Sequence, residues 1–511
     1  MIKVYLRIAV AIVSFLIFSS SAQAQKVDDR LRLSTIEFLS ALDYYHDPSS
    51  EFEQFVRNVY GYLVVYNERT GQFMPELAKE WRRINEITWE FDLRDDVVFH
   101  SGNRFTAQDI KESIDYLIDP KTTIRFQGRY DWIRNVEVLS PYRVRIVSKE
   151  PFAEDLHSIA FRFYFYDSVV FRTLSDKADY GRVSASGTGP YRAISVDKNA
   201  GLLVERFDPA AGKWDHRRAP IRRILSVPIP DRQVQLAKLM TNEVDAIRNI
   251  TPDMHEQIAK IPGLTITPVN SKFLVYLTLD AAGRSANKVF TNKLVRQAFF
   301  KAIPRDVLRQ KFASAPQIAE LPNGICFKST VACDPTEPVI EYDLEGAKKL
   351  LAEAGYPNGI DIVITGTDQY RDITQAAAGE LRKAGIRANI EFAPRTAAVR
   401  RRGHGELTVY GSAYPTFSEP TVTNLMDFFF GGERDYSGDP VIAQAAANAR
   451  IEFDLAKRTA IYREVLNRVN SEAYVYPMTE YPTLWAHWDY LSPQANPHTI
   501  AAFNIGDWFW K

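Results

Sequence analysis

The hydrophobic pattern changes period once between Trp89 and Ile118. Trp89, Phe91 and Leu93 alternate with Glu90, Asp92 and Arg94, the two-residue period of a half-buried strand. Past Gly102 the apolar positions spread to Ile110, Ile114, Leu117 and Ile118, one face of a helix. Thr106 suits the N-cap, with Asp109 at N3 and Phe105 placed to pack on Ile110. A second alternation, Tyr142, Val144 and Ile146 against Arg143 and Arg145, follows the turn at Pro141. Residues 69–184 therefore read as rich in strands, with the 106–118 helix packed among them.

Further on, the pattern becomes mixed α/β. GTGPY at Gly187–Tyr191 marks a turn, Gly201–Glu205 is strand-like, and Asp231–Met240 reads as a helix. Phe273–Leu279 is a strand, and Asn292 caps a helix ending by Pro304. Asp343 caps a helix through Ala354, with Gly355 at the C′ position. Ile360–Ile364 then reads as a strand, 372–384 as a helix and Ile386–Phe392 as a strand, which implies crossover units on a sheet. Asp439-Pro440 opens one helix and Asp454 caps another that runs to about Asn470.

Composition places the chain in a class. Lys plus Arg equal Asp plus Glu at 63 each, so no charge excess argues for nucleic acid or an acidic membrane. The N-terminus carries Lys3 and Arg7, the apolar stretch Ile8–Phe18 and the small-x-small site Ala22-Gln23-Ala24, the anatomy of a cleavable export signal. That stretch is far shorter than the roughly 20 residues that span a bilayer. No Cys follows it, which argues against a lipid anchor. A chain of 511 residues, even after losing 24, exceeds one core and predicts two or three domains. Cys326 and Cys333 lie in a Pro- and Gly-bearing loop, and export makes a disulfide staple between them the expected state.

Motifs for catalysis are missing. His255-Glu256 lacks the second histidine of H-E-x-x-H, and neither a G-x-S-x-G elbow nor a phosphate loop is present. GTGPYR lacks the third glycine of a dinucleotide fingerprint. No catalytic residue, cofactor or metal set is assigned, and a periplasmic hydrolase or an adhesion or chaperone module are the competing classes.

The 89–110 stretch, read as W-x-F-x-L-R-x-x-V-x-F-H-x-G-x-x-F-T-A-x-D-I, resembles the signature of bacterial extracellular solute-binding family 5. PELAKEW (75–81), GTGPYR (187–192), NEVDAI (242–247), VRQAFFKAIPRDVL (295–308) and YDLEGAKKLLAEAGYPNG (342–359) follow in the family's order. The resemblance implies an α/β, periplasmic-binding-protein-like two-lobed clamshell of type II, with three domains and a ligand cleft between the lobes. It implies a signal peptide over 1–24, lobe 1 from 25–68, 185–272 and 483–511, an inserted small domain over 69–184, and lobe 2 over 273–482. Crossings between lobes are expected at Phe273–Leu279 and near Tyr481–Trp485. The implied role is non-enzymatic: a periplasmic, monomeric receptor that delivers its solute to an inner-membrane ABC permease.

Matching positions to the family gives ligand candidates. Tyr45 and His46 follow the first strand in LDYYHDP. Arg129 and Tyr130 fall at the inserted domain's cleft aromatic, and Arg248 and Asn249 follow NEVDAI. Tyr276 and Tyr481 fall at the two crossings. Peptide-binding relatives carry W-x-x-D in a region where this chain has neither Trp nor Asp between Leu407 and Met426; Tyr410, Ser412 and Tyr414 stand there, with Glu419 the only acid. A buried ammonium needs a carboxylate partner, so free-amine recognition is in question. The main expectation is a peptide or peptide-like ligand. The second is a non-peptide organic solute, opine-like, glycan-derived or anionic. Nickel is weaker, resting on His46 or His404 alone. The Arg400–Arg402 run reads first as a solvated face, and as an anion site only if it converges with Arg129 and Arg248.

Overall fold

A computed structural model of the chain describes residues 28–38, 41–46, 53–183, 185–208, 219–269, 272–415, 419–494 and 504–511. The export segment expected over 1–24 lies outside them. None of the described helices is long and apolar enough to cross a membrane.

The first alternating segment forms a four-stranded antiparallel sheet, in the order Ala78–Asn85, Thr88–Leu93, Arg143–Ser148, Ile133–Ser140. The helix Ala107–Ile118 packs beside it. Its Asp109 carboxylate accepts the Thr106 N–H at 2.7 Å, and Phe105 and Ile110 are both fully buried. One expectation from alternation fails. Glu90 is only 4 % exposed although it points away from the apolar face. Arg82 and Arg145 cover its carboxylate, while Arg82 and Arg143 hold Asp92 at 2.7 and 2.6 Å. The sheet's outer face is a ladder of cross-strand ion pairs, not bare polar side chains.

Two signatures distant in sequence meet here. The His100 N–H donates to Gly187 O at 2.9 Å, the Gly187 N–H meets His100 Nδ1 at 3.1 Å, and Nε2 lies 2.9 Å from Gly189 O. Burial pushes the imidazole down to about 4, so it stays neutral with one nitrogen accepting and the other donating. The glycines of GTGPY are required because a Cβ on Gly187 would lie 1.9 Å from Val59 O, and on Gly189 2.4 Å from Asn58 O. A strand missed in the sequence, Tyr191–Asp197, follows; it is the sheet's outer strand and mostly uncovered, so its apolar period is faint.

Two larger sheets organise the rest. Seven strands run in the order Leu264–Val269, Thr483–Trp488, Ala246–Arg248, Arg30–Thr35, Arg223–Pro228, Gly201–Arg206, Tyr191–Asp197. Five run in the order Ile386–Phe392, Ile360–Gly366, Val409–Pro415, Phe273–Leu279, Val475–Glu480. Ile360–Gly366 and Ile386–Phe392 pair in parallel and are joined by the helix Arg371–Lys383, the predicted crossover. The five-stranded sheet is buried on both faces. Val275, Leu277 and Leu279 enter one apolar cluster, Leu274 and Tyr276 the other.

The chain passes between these sheets twice, from Val269 to Phe273 and from Glu480 to Thr483. An ion pair ties the passages together. Lys272 Nζ lies 3.7 Å from the Glu480 carboxylate, and that carboxylate also accepts the Lys272 N–H at 3.2 Å. Both side chains are buried, and Lys272 takes φ 48°, which a non-glycine residue adopts only under compulsion. The disulfide joins Cys326 to Cys333 with 6.0 Å between Cα atoms, inside the cluster that also holds Tyr276 and Tyr410.

Candidate functional site

Beside the first strand of the seven-stranded sheet sits a buried carboxylate with every acceptor position in use. Asp43 accepts the hydroxyls of Tyr164 at 2.6 Å and Tyr166 at 2.8 Å and the Tyr45 N–H at 3.0 Å, and pairs with His46 Nδ1 at 2.7 Å. Two of the sequence candidates, Tyr45 and His46, are engaged in this network. Tyr45 is fully buried, stacked on Tyr164 at 4.2 Å with its hydroxyl on Tyr164 O. His46 spends both ring nitrogens, on Asp43 and on the Tyr116 hydroxyl at 3.0 Å. Both are the support beneath a cavity, not its lining. The neighbour Tyr44 lines it instead, because the turn projects that side chain the other way.

That cavity, about 20 Å³, is bounded by Tyr44, Tyr62, Arg129, Tyr130, Phe161 and Arg162 among others. Arg129 and Tyr130, two of the sequence candidates, are among its lining residues. Tyr130 stands edge-on to Tyr45 at 5.5 Å, so the support network fixes its ring. A volume near 20 Å³ suits water, whereas a drug-sized solute needs roughly 300 Å³ or more.

One of these lining residues, Arg162, also reaches the part of the chain that holds the five-stranded sheet. Arg162 pairs with Glu419 and donates to Asn424 Oδ1 at 2.7 Å; Asn424 Nδ2 donates to the Tyr414 hydroxyl at 2.8 Å. Burial drives the Glu419 carboxyl up to about 7, against the pull of Arg162. A second contact lies nearby, where Glu154 and Arg458 pair at 3.2 Å with both side chains buried.

From Tyr414 the site continues along one sheet face. Leu274 faces Tyr414, Tyr276 faces Ser412 and Thr278 faces Tyr410 in register, so Tyr276, Tyr410, Ser412 and Tyr414 share that face. Phe428 bridges them, 4.7 Å from Tyr414 and 6.0 Å from Tyr276. Closer to the crossings, Tyr481 meets Tyr370 edge-on at 5.5 Å, and the Arg248 guanidinium lies 5.9 Å from the Trp485 ring. Asn249 takes φ 60° and spends its N–H on Leu484 O, holding the strand end that presents Arg248.

Tyr276, Tyr410, Ser412 and Tyr414 thus share one sheet face, Arg129 and Tyr130 line the small cavity with Arg162, Arg248 and Tyr481 lie by the crossings, and Tyr45 and His46 sit in the network beneath the cavity. Sequence reasoning missed Tyr44, Arg162, Asn424 and Tyr370. Arg162 ends a helix, Asp155–Arg162, where nothing but its position opposite Glu419 marks it out. Among the described residues no group of three or more His, Cys, Asp and Glu side chains could hold a metal ion.

Two sheet-centred α/β lobes joined by paired crossings, with polar side chains meeting between them, define a type II periplasmic-binding-protein fold. Solved structures share it: CtaP from Listeria monocytogenes, an ABC transporter substrate-binding protein, at TM-score 0.81, 17 % identity, 94 % of this chain and 99 % of that one. DppA from Helicobacter pylori, solved with the peptide STSA, gives TM-score 0.78, 20 % identity, 94 % and 98 %. In sequence, the glutathione-binding protein GsiB of Pectobacterium atrosepticum is 24 % identical over 419 residues, 76 % of each chain. The model of the bacterial extracellular solute-binding proteins, family 5 (Middle), matches residues 72–436. The chain belongs to that family and is a solute-binding protein of the kind that serves ABC importers.

Proposed function

We propose that this protein is an exported, periplasmic receptor that captures a peptide or peptide-like solute between its lobes and hands it unchanged to an inner-membrane permease. In this reading residues 1–24 are a cleaved signal, 69–184 an inserted domain, and 273–482 the second lobe. It acts as a monomer without cofactor. The observation that carries the reading is the Arg162–Glu419–Asn424 junction, where a side chain from 69–184 meets two from 273–482. Closure of such a clamp must be driven by contacts a ligand makes with both sides. Peptide chemistry is supported by the glutathione named for GsiB and the peptide held by DppA.

Small-angle scattering tests this directly when a mixed di- and tripeptide pool is added to the protein. The expected result is saturable one-to-one compaction, with the peptides recovered intact by mass spectrometry. No change in dimensions with any peptide, or cleavage of the pool, overturns it.

A further inference from the structure

Among the described residues, a group of arginines near Tyr276 and Tyr370 has no carboxylate partner. Over the whole chain basic and acidic residues balance at 63 each, so this is a local arrangement. Arg402 is 4 % exposed; its Nη2 donates to the carbonyls of Phe429 and Arg434 at 3.4 and 3.1 Å, and its Nε is buried without an acceptor. The Nε of Arg248 is buried in the same condition. Tyr276 is wholly buried and its hydroxyl has no partner. Among the described residues none of Arg248, Arg395, Arg402 and Arg434 has a carboxylate within ion-pair distance. The nearby acids are occupied: Glu419 by Arg162, Asp427 by Arg450, and Glu391 and Glu406 by Arg401.

These groups converge. Arg395, Ala398 and Arg402 fall at i, i+3 and i+7 of the helix Arg395–Gly403, on one face. The Arg402 guanidinium lies 5.5 Å from the Tyr410 ring and 5.6 Å from Phe428, and those rings stand 6.2 and 6.0 Å from Tyr276. Arg402, Arg395 and Arg434 all act on the Tyr276 hydroxyl, and Arg395 and Arg248 both act on that of Tyr370. Burial, then Arg129 and Arg402, hold the Arg434 guanidinium below its ordinary range. Buried donors without acceptors are rare, and unpaired buried cations are unfavourable. Such a set is complemented by planar oxyanions, which guanidinium forks grip in bidentate fashion.

We propose that the ligand is a peptide-like solute bearing at least two carboxylates, one held by Arg402, Arg434 and Tyr276 on the five-stranded-sheet side, the other by Arg248 on the seven-stranded-sheet side. This rests on the solute-capture reading above and specifies its substrate class. A dianion seated this way touches both lobes at once and neutralises the repulsion that otherwise opposes closure.

Calorimetric titration with two tripeptides differing only in a glutamate or glutamine side chain, each with a free or an amidated C-terminus, tests the proposal. A parallel arm measures the Tm shift given by citrate. Each carboxylate removed is expected to weaken peptide binding at least tenfold. Citrate is expected to raise Tm in a salt-sensitive way, and Arg402→Gln or Arg248→Gln to abolish both effects; Arg248 is half-buried at a strand end, so its variant stays folded. Equal affinity for all four peptides overturns the proposal while leaving solute capture intact. A citrate shift without any peptide binding upholds the anion site and instead overturns the peptide reading. The absence of both a citrate shift and a charge preference overturns the proposal outright.

Discussion

Arginine does opposite work in two regions of this molecule. On the sheet of residues 78–148, Arg82, Arg143 and Arg145 lie across strands from Glu90 and Asp92, and every guanidinium has a carboxylate within 2.9 Å or less. Around Tyr276, Arg402 donates to the Arg434 backbone carbonyl at 3.1 Å, and among the described residues neither arginine has a carboxylate within ion-pair distance. Ionic pairs that close on themselves hold a sheet together. An ionic set left open is poised for something from outside. The distinction comes from partners, not from residue type or burial.

The comparison breaks most visibly on the closed side. Glu90→Ala leaves Arg82 and Arg143 to share Asp92 and Arg145 with only Glu137 at 3.6 Å, and should cost about 3 kcal/mol of stability, read by urea unfolding, with peptide affinity unchanged. On the open side Arg402→Gln should lower affinity for a dicarboxylate peptide about 100-fold, equivalent to ~2.7 kcal/mol, while Tm holds or rises because an unpaired buried cation is gone. A chemical cut separates packing from charge in the same cluster. Reducing Cys326–Cys333, or Cys326→Ser, should remove about 2.5 kcal/mol by freeing a short loop in the unfolded chain. If the cluster under Tyr276 depends on that loop, affinity falls with it; the account expects affinity to hold.

Smaller effects sharpen the boundary between the regions. Glu419 binds its proton more tightly folded than unfolded, near 7 against an ordinary 4.5. Its contribution to stability is complete below about pH 4.5 and is lost as pH rises through 7. Thermal unfolding from pH 5 to 8 should show that loss, and Glu419→Gln should flatten it. Arg82→Gln is the mildest change: the arginine is 42 % exposed and the carboxylates keep Arg143 and Arg145, so the cost should stay under about 1 kcal/mol.

Legibility in the sequence followed periodicity and capping. The Thr106–Asp109 cap, Asp343, Asp439-Pro440 and Asp454 all begin helices where their spacing demanded. The paired crossings were readable because each strand is apolar and bounded by turn residues. The turn at 42–46 was not, since a turn has no period to say which side chain faces inward; Tyr44 lines the cavity and Tyr45 supports it. Arg400–Arg402 hid its meaning in a charge run. Arg400 is exposed and Arg401 pairs with Glu391 and Glu406, and only Arg402, in helical phase with Ala398, turns inward. Glu419 stood out as the sole acid of its segment, but its partner Arg162 lies far away in the chain and could not be named without the fold.

The most direct test of the whole account is native mass spectrometry of the protein taken straight from the periplasm, with the released passenger identified. One peptide-like molecule per chain, intact and carrying two or more acidic groups, is the predicted result; a neutral or cationic passenger, or a cleaved one, would contradict it.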